Sequence, residues 1–318
     1  MSELKSVANF DIQNYLSTRR AAIDRALERH MKEQSGHSQS VWRAMRYGLF
    51  PGGKRIRPVL TLAAGELFGA REEVLLPFAC AVEMIHAYSL IHDDLPALDD
   101  DDMRRGEPSL HKVFGEGVAL LAGDGLLTEA FHLISSPEVA RSLPADRVLN
   151  LMHELSHAAG AGGMVGGQAF DLEAEGKEVD LATVEYIHVR KTGALILASI
   201  RIGAQAAGAK PEELRRISRF GEYLGLAFQI ADDILDMQDP AMEGEPQESG
   251  RKERKKATYP SVVGLAQAKE RLRQLHEQCH AELLPFGPAA EALKGIAHQI
   301  VARATHEQAN LNNQEMGS

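Results

Sequence analysis

Apolar positions along this chain recur at three- and four-residue spacings rather than alternating. That is the signature of amphipathic helices, not half-buried strands. The pattern predicts a first helix over 8–35, closed by Ser35-Gly36-His37-Ser38-Gln39-Ser40, and a second from Val41 to a stop at Pro51-Gly52-Gly53. Further helices are expected over 57–69, 73–95, 99–105, 116–135, 145–160, 163–175, 180–208, 211–237, 258–281 and 289–313, with Gly-, Pro- or charge-rich separators. The 73–95 segment is apolar almost all round, which marks a central helix. No internal repeat and no compositional shift appears beyond a recurring aspartate motif. One all-α domain over 1–318 is therefore expected, with a Pro/Gly-containing loop at 238–256 as a candidate lid.

Composition narrows this reading. The chain has 318 residues, 44% of them hydrophobic, 25% charged and only 5% aromatic, with a net charge of −10. Alanine, leucine, glutamate and arginine favour helix. The acidic balance gives no global attraction to nucleic acid or to an anionic membrane. The two cysteines argue against a disulfide framework or a structural zinc site, and Cys80, within Phe78-Ala79-Cys80-Ala81-Val82, reads as a buried thiol. Met1-Ser2-Glu3-Leu4-Lys5 lacks an apolar signal region, and no uninterrupted apolar span reaches membrane length. A cytoplasmic location is expected.

The candidate chemistry lies in two aspartate clusters, Asp93-Asp94-x4-Asp99 and, about 140 residues later, Asp232-Asp233-x2-Asp236. Each follows an apolar helical stretch. Adjacent carboxylates repel, and burying them costs several kcal/mol unless a cation compensates. Clusters of hard oxygen donors suit Mg²⁺ bridging to substrate phosphates. Asp232 and Asp236 share a helix face, being about 40° apart. Asp93 and Asp99 would diverge on a regular helix, but Pro96 interrupts the ladder, so Leu95-Pro96-Ala97-Leu98 is read as a distortion returning Asp99 to the face of Asp93. His86 lies on that same face, about 10 Å away along the axis.

Other motifs add cations. Gly52-Gly53-Lys54-Arg55-Ile56-Arg57-Pro58 places charges on a glycine-flexed turn at a helix start. Arg104-Arg105-Gly106 follows the first cluster. Lys191-Thr192-Gly193 interrupts an apolar helix, and Gly166-Gly167-Gln168-x2-Asp171 offers that lysine a partner; glycines 160–167 suit close helix packing. His153-Glu154-Leu155-Ser156-His157 matches a zinc-protease pattern, but its setting is that of an ordinary amphipathic surface helix.

Taken in order and spacing, these motifs resemble the trans-isoprenyl diphosphate synthases, most closely the bacterial farnesyl diphosphate synthase branch. The resemblance runs from about Trp42 to Gly264 and covers Gly52–Pro58, Glu83–Gly106, Gly166–Asp171, Lys191–Thr192, Phe228–Asp236 and Lys256–Pro260. It implies a bundle of antiparallel helices around a deep central cavity, with the two clusters facing each other, in a homodimer.

By that resemblance, Asp93, Asp99 and Asp232 ligate Mg²⁺, about three ions per site, with Asp94, Asp233 and Asp236 supporting them directly or through water. Arg104, Lys191, Gln229 and Lys256 would hold an allylic diphosphate with Thr192 beside it. Lys54, Arg57, His86 and Arg105 would hold isopentenyl diphosphate. The implied reaction is a 1′-4 condensation with dimethylallyl or geranyl diphosphate. Catalysis would rest on Asp93, Asp99, Arg104, Lys191 and Asp232.

Tyr88, about 7.5 Å before Asp93 along the helix, resembles the aromatic ruler of farnesyl-producing members. The alternatives are a geranyl or geranylgeranyl product, or a weakly active partner subunit. A terpene cyclase would pair one Asp-rich cluster with an Asn/Ser/Glu motif, which this chain replaces with a second Asp cluster and the Lys54/Arg57 turn. One departure stands out: the family's lid carries Gly-Lys-x2-Gly-x-Asp, whereas this chain has Pro246 and Arg251 at the lysine and aspartate positions, with Lys256 retained.

Overall fold

The computed structural model describes residues 10–32, 38–50, 52–238 and 258–305. The expected lid, with Pro246, Arg251 and Lys256, lies outside the described residues, apart from Gln238 at its start. The architecture is all-α. Among the described residues, the strands are confined to a hairpin of Met103–Arg104 (β1) and Glu107–Pro108 (β2), paired antiparallel. Helix 99–105 is thus corrected to a turn leading into this hairpin. Non-glycine left-handed residues at Asp100 and Arg105 (φ 52° and 55°) rule out a continuous helix there.

The chain divides into two compact units, one of residues 13–156 and 199–210, the other of 1–12, 157–198 and 211–318. The first holds nearly all of α1 (Ile12–His30), then α2 (Gln39–Leu49), α3 (Ile56–Leu67), α4 (Glu72–Asp93), the hairpin, α5 (Leu110–Phe114), α6 (Glu116–Ile134), α7 (Pro137–Ser142) and most of α8 (Ala145–Ala159). Its core is built on α4, where Leu75, Phe78, Ala79, Val82, Met84 and Ile85 are buried. Packing against α6 is close: a Cβ added at Gly123 would fall 2.0 Å from His92 Nε2. Gly115, at φ 83°, separates α5 from α6. The sequence pattern missed α5 and α7 because each is a short turn. Ser136 caps α7 by accepting from the Val139 N–H, and Pro137 starts it.

By length and composition alone, Glu72–Asp93 and Glu116–Ser142 are apolar enough to cross a membrane, although charged and polar residues interrupt both. In the fold 67% of the first window is buried inside the protein, as suits a central helix.

The second unit holds α9 (Met164–Ala174), α10 (Leu181–Ile187), a π-helical segment His188–Gly193, the start of α11 (Ala194–Ala206), α12 (Pro211–Gln238), α13 (Tyr259–Val263), α14 (Leu265–Leu283), a 3₁₀ turn Leu284–Ala290 and α15 (Glu291–Thr305). The helix expected over 180–208 runs from Leu181 to Ala206, with a π-helical stretch at His188–Gly193 inside it. Likewise 258–281 is two helices, broken at Gly264 with φ 84°. Thr258 and Ser261 form a capping box that restarts the chain as α13. Asp180 caps α10, accepting from the Thr183 N–H at 2.9 Å. Both cysteines are free and buried; burial pushes the Cys80 thiol up to about 12.

One buried ion pair organises the turn before α3. Arg55, in the left-handed region at φ 51°, donates from Nη1 to Glu83 Oε1 (2.6 Å), from Nε to Asp24 Oδ1 (3.0 Å) and from Nη2 to the Leu49 carbonyl (2.8 Å). The Arg55 and Glu83 side chains are each only 3% exposed. Arg55→Ala leaves Glu83 charged and unpaired, and is expected to cost about 3–5 kcal/mol in urea unfolding. The double change Arg55→Met with Glu83→Leu should recover most of that loss; no recovery would show that the pair is not the cause.

Candidate active site

The first aspartate cluster is shaped by the end of α4. After Asp93 the chain leaves the helix, and the Asp99 N–H donates to the Asp93 carbonyl at 2.8 Å. That bond brings Asp99 back beside Asp93, as the Pro96 interruption led one to expect. Both residues are half-buried. Asp94 is buried and its Oδ1 accepts from Arg104, from Nε at 2.9 Å and also from Nη2, while Nη2 reaches Asp101 Oδ2 at 3.2 Å. Arg104 is thereby held beside the cluster, and the carboxylates around it raise its pKa.

The glycine-flexed turn sits in the same unit. Lys54 is exposed and Arg57 half-buried. Arg57 Nη1 lies 3.2 Å from His86 Nε2. Desolvation, followed by the charges of Arg57 and Arg105, holds His86 well below the usual histidine range. It is therefore neutral near pH 7, and its Nε2 accepts from Arg57. Arg105 Nη1 donates to the Gly52 carbonyl at 2.6 Å. A Cβ on Gly53 (φ 138°) would sit 2.6 Å from that guanidinium, so glycine is needed for the approach. Lys54, Arg57, His86 and Arg105 thus share one unit, with Arg57 against His86 and Arg105 against the glycine turn before Lys54. Arg55, third cation of the motif, is a buried structural residue instead. Tyr88 is buried on α4, with its ring 5.7 Å from the ring of His92 in an edge contact.

The second cluster belongs to the other unit. Lys191 and Thr192 lie in the π-helical segment, the wider turn that proteins use to re-aim side chains at functional positions. Lys191 Nζ pairs with Asp171 Oδ2 at 2.6 Å, the partner expected from the sequence. A Cβ on Gly167 would meet the Lys191 backbone N at 2.2 Å, and one on Gly225 would meet Gly193 Cα at 2.9 Å. Glycine on both flanking helices lets the wide segment fit between them.

Thr192 Oγ1 donates to Gln229 Oε1 (2.8 Å), and Gln229 Nε2 donates to Asp233 Oδ1 (2.8 Å). Asp233 Oδ2 accepts the Tyr259 N–H at 2.8 Å and lies 3.3 Å from His188 Nε2. Asp233 is buried, Asp232 half-buried and Asp236 exposed. Sequence reasoning missed His188 and Tyr259 as members of this network; a histidine within an otherwise apolar helical run was the available signal for the first.

The zinc-protease pattern is not borne out as a site. Glu154 Oε1 accepts from Arg201 Nε at 2.7 Å and its Oε2 from Gln205 Nε2 at 3.2 Å. Among the described residues, the cluster of three potential metal ligands is a different one, Asp100, Asp102 and His111.

The all-α fold carries one aspartate cluster at the end of α4 beside Arg104, and a second near the end of α12 that is bonded through Gln229 to Thr192. The chain belongs to the polyprenyl synthetase family, whose sequence profile matches residues 38–283. It is 46% identical over 301 residues to a dimethylallyltranstransferase of Fischerella ambigua, covering 94% of this chain and 85% of that one. It is 45% identical over 298 residues to a farnesyl diphosphate synthase of Geobacillus stearothermophilus, covering 93% and 99%. The structure of a geranyltransferase from Legionella pneumophila superposes with a TM-score of 0.84 at 34% identity, covering 93% of this chain and 98% of that one.

The lowered pKa of His86 has a sign that can be tested. A histidine neutral when folded but ordinary when unfolded leaves the unfolded state binding more protons below about pH 6.5. Stability is therefore expected to fall as pH drops through that value, and His86→Gln should lack this part of the fall. Imidazole NMR signals of His86 should stay unchanged between pH 8 and 6; titration within that range would refute the assignment.

Proposed function

We propose that this chain is a Mg²⁺-dependent trans-prenyltransferase that condenses isopentenyl diphosphate with dimethylallyl or geranyl diphosphate, giving mainly farnesyl diphosphate. The carrying observation is the pair of aspartate motifs in a member of the polyprenyl synthetase family, each with its own fixed cations. The activities after which the two relatives above are named support the same reaction class.

The donor set fits the metal. Asp93, Asp99 and Asp232 are half-buried carboxylates, hard oxygen donors of the type Mg²⁺ takes, and the buried Asp94 and Asp233 beside them are positioned by Arg104 and by Tyr259 and Gln229. In this reading Asp93, Asp99 and Asp232 hold the ions, about three per site, and Asp94, Asp233 and Asp236 support them. Bound Mg²⁺ supplies positive charge against the diphosphate.

The protein's own groups do the rest. Arg104, Lys191 and Lys256 bind the allylic diphosphate with Gln229 and Thr192, and oppose the negative charge that grows as the C–O bond breaks. Because Arg104 and Lys191 are already tethered to carboxylates, little reorganisation is required when the leaving group departs. Lys54, Arg57 and Arg105 bind the diphosphate of isopentenyl diphosphate, and neutral His86 orients Arg57. The double bond of that substrate attacks the allylic cation, and released pyrophosphate takes the proton. Closure over the site excludes water from the cation, the task assigned to the 238–256 segment.

The whole chain, 1–318, is taken as one catalytic domain acting in the cytoplasm as a homodimer. Two free, buried thiols agree with a reducing compartment. Exposed Val113, Leu120 and Leu121 on α5 and α6 offer apolar surface for self-association.

Incubating the purified chain with Mg²⁺, isopentenyl diphosphate and either starter, then analysing products by mass spectrometry, tests the reading. Farnesyl product from both starters is the expected result. A different chain length would keep the reaction and reject the product. No product from either starter would reject the enzyme reading in favour of a partner subunit, for which Pro246 and Arg251 supply the motive. For Tyr88→Ala the expected outcome is a shift towards products longer than fifteen carbons, since removing the ring opens space; an unchanged product distribution would exclude the ruler role.

A further inference from the structure

Just beyond the first aspartate cluster, the chain gathers three potential ligands that the proposed reaction does not use. Asp100, Asp102 and His111 place one donor atom each within 4.8 Å of one another. The backbone builds this juxtaposition. The Asp100 N–H donates to the Leu95 carbonyl at 3.1 Å with φ 52°, which ends the turn after α4. The β1–β2 hairpin then pairs Met103 with Pro108, and the Ser109 N–H donates to the Asp102 carbonyl at 2.8 Å. Asp102 is thereby fixed beside the start of α5, which carries His111.

The three residues differ in one decisive way. Asp100 and Asp102 are exposed, while His111 is only 7% exposed and neither of its ring nitrogens has a hydrogen-bond partner. A buried imidazole always carries at least one N–H or one lone pair to be satisfied, and leaving such a group unmet costs about 1–3 kcal/mol. An inert core histidine would be expected to bond a neighbouring carbonyl. His111 instead has its open nitrogen within reach of two carboxylates.

We propose that Asp100, Asp102 and His111 form a site for a borderline divalent transition metal, with Zn²⁺ the specific ion, separate from the aspartates assigned to Mg²⁺. One imidazole and two carboxylates, with water completing the shell, are an accepted zinc donor set. The nitrogen donor is what separates the two metals, because Mg²⁺ prefers oxygen ligands and holds its waters. Lys112 Nζ pairs with Asp102 Oδ1 at 2.7 Å, so the lysine offsets part of the local negative charge without the ion. A bound ion would tie the turn after Asp99 to α5. The role is structural: it secures the segment carrying Asp99 and Arg104 without entering the reaction.

The experiment uses the full chain, stripped with chelator and kept in excess Mg²⁺ to occupy the oxygen-only sites, with Zn²⁺ alone as the probe and no substrate present. Calorimetry gives affinity and stoichiometry, and ¹⁵N-edited imidazole NMR reports on His111 directly. The expected result is one equivalent of Zn²⁺ that shifts the His111 ring signals and is reversed by chelator. Asp100→Asn with Asp102→Asn, both at exposed positions, should weaken that binding by about 100-fold or more. Circular dichroism checks that the double variant is folded. Zinc uptake that leaves the His111 signals unmoved in the unmodified chain would overturn the proposal, whatever the variants do, and so would equal affinity in the folded double variant. Because no turnover is measured, these outcomes are independent of whether the chain makes a prenyl product.

Discussion

A carboxylate withdrawn from water must be met by donors on its oxygens, and Asp233 shows how much structure that requirement can organise. Its two oxygens draw together Gln229 one turn earlier on α12, His188 in the π-helical segment, and the Tyr259 N–H where the described chain resumes. Thr192 is then placed through Gln229. Three elements of one unit converge on a single buried charge. Moving any of them would strand that charge, so the geometry around Lys191 and Asp232 is held by a penalty rather than by many weak contacts.

The first cluster follows the same logic in a different form. Arg104 meets buried Asp94, and that pairing holds the guanidinium next to Asp93 and Asp99 before any substrate arrives. Farther along α3 and α4, Arg55 and Glu83 use a buried pair to fix the left-handed turn from which Lys54 and Arg57 project. Each motif therefore divides its charges between two tasks. Asp94, Asp233 and Arg55 are buried and fix position, whereas Asp93, Asp99, Asp232, Lys54 and Arg57 in the same motifs are more accessible. Neighbouring residues of like chemistry in one motif are not equivalent, and burial is what separates them.

Much of this could be read from the residues in order. Helical spacing gave an all-α chain, and the apolar run of 73–95 marked the central α4 because a helix buried on every side needs no polar stripe. Pro96 foretold the turn that brings Asp99 back to Asp93, and Asp171 was recognisable as the partner of Lys191. Reading was poorest where local preference and long-range packing disagree. Residues 99–105 have the composition of a helix, yet the hairpin wins because it lets Arg104 reach Asp94. The π-helical segment inside 180–208 carries no local signature; it fits because Gly167 and Gly225 on other helices make room.

By itself the sequence determined which groups exist and how far apart they lie along a helix: two aspartate clusters, their neighbouring cations, and the apolar faces that bury the helices carrying them. Those properties are local, since helix period and side-chain chemistry need no knowledge of distant residues. Only the tertiary structure decided which of the charged groups are buried, which are more accessible, and that His111 lies within 4.8 Å of Asp100 and Asp102 with neither ring nitrogen hydrogen-bonded. Burial and pairing depend on atoms remote in the chain, and the cost of an unpaired charge is set by the surroundings that folding alone creates.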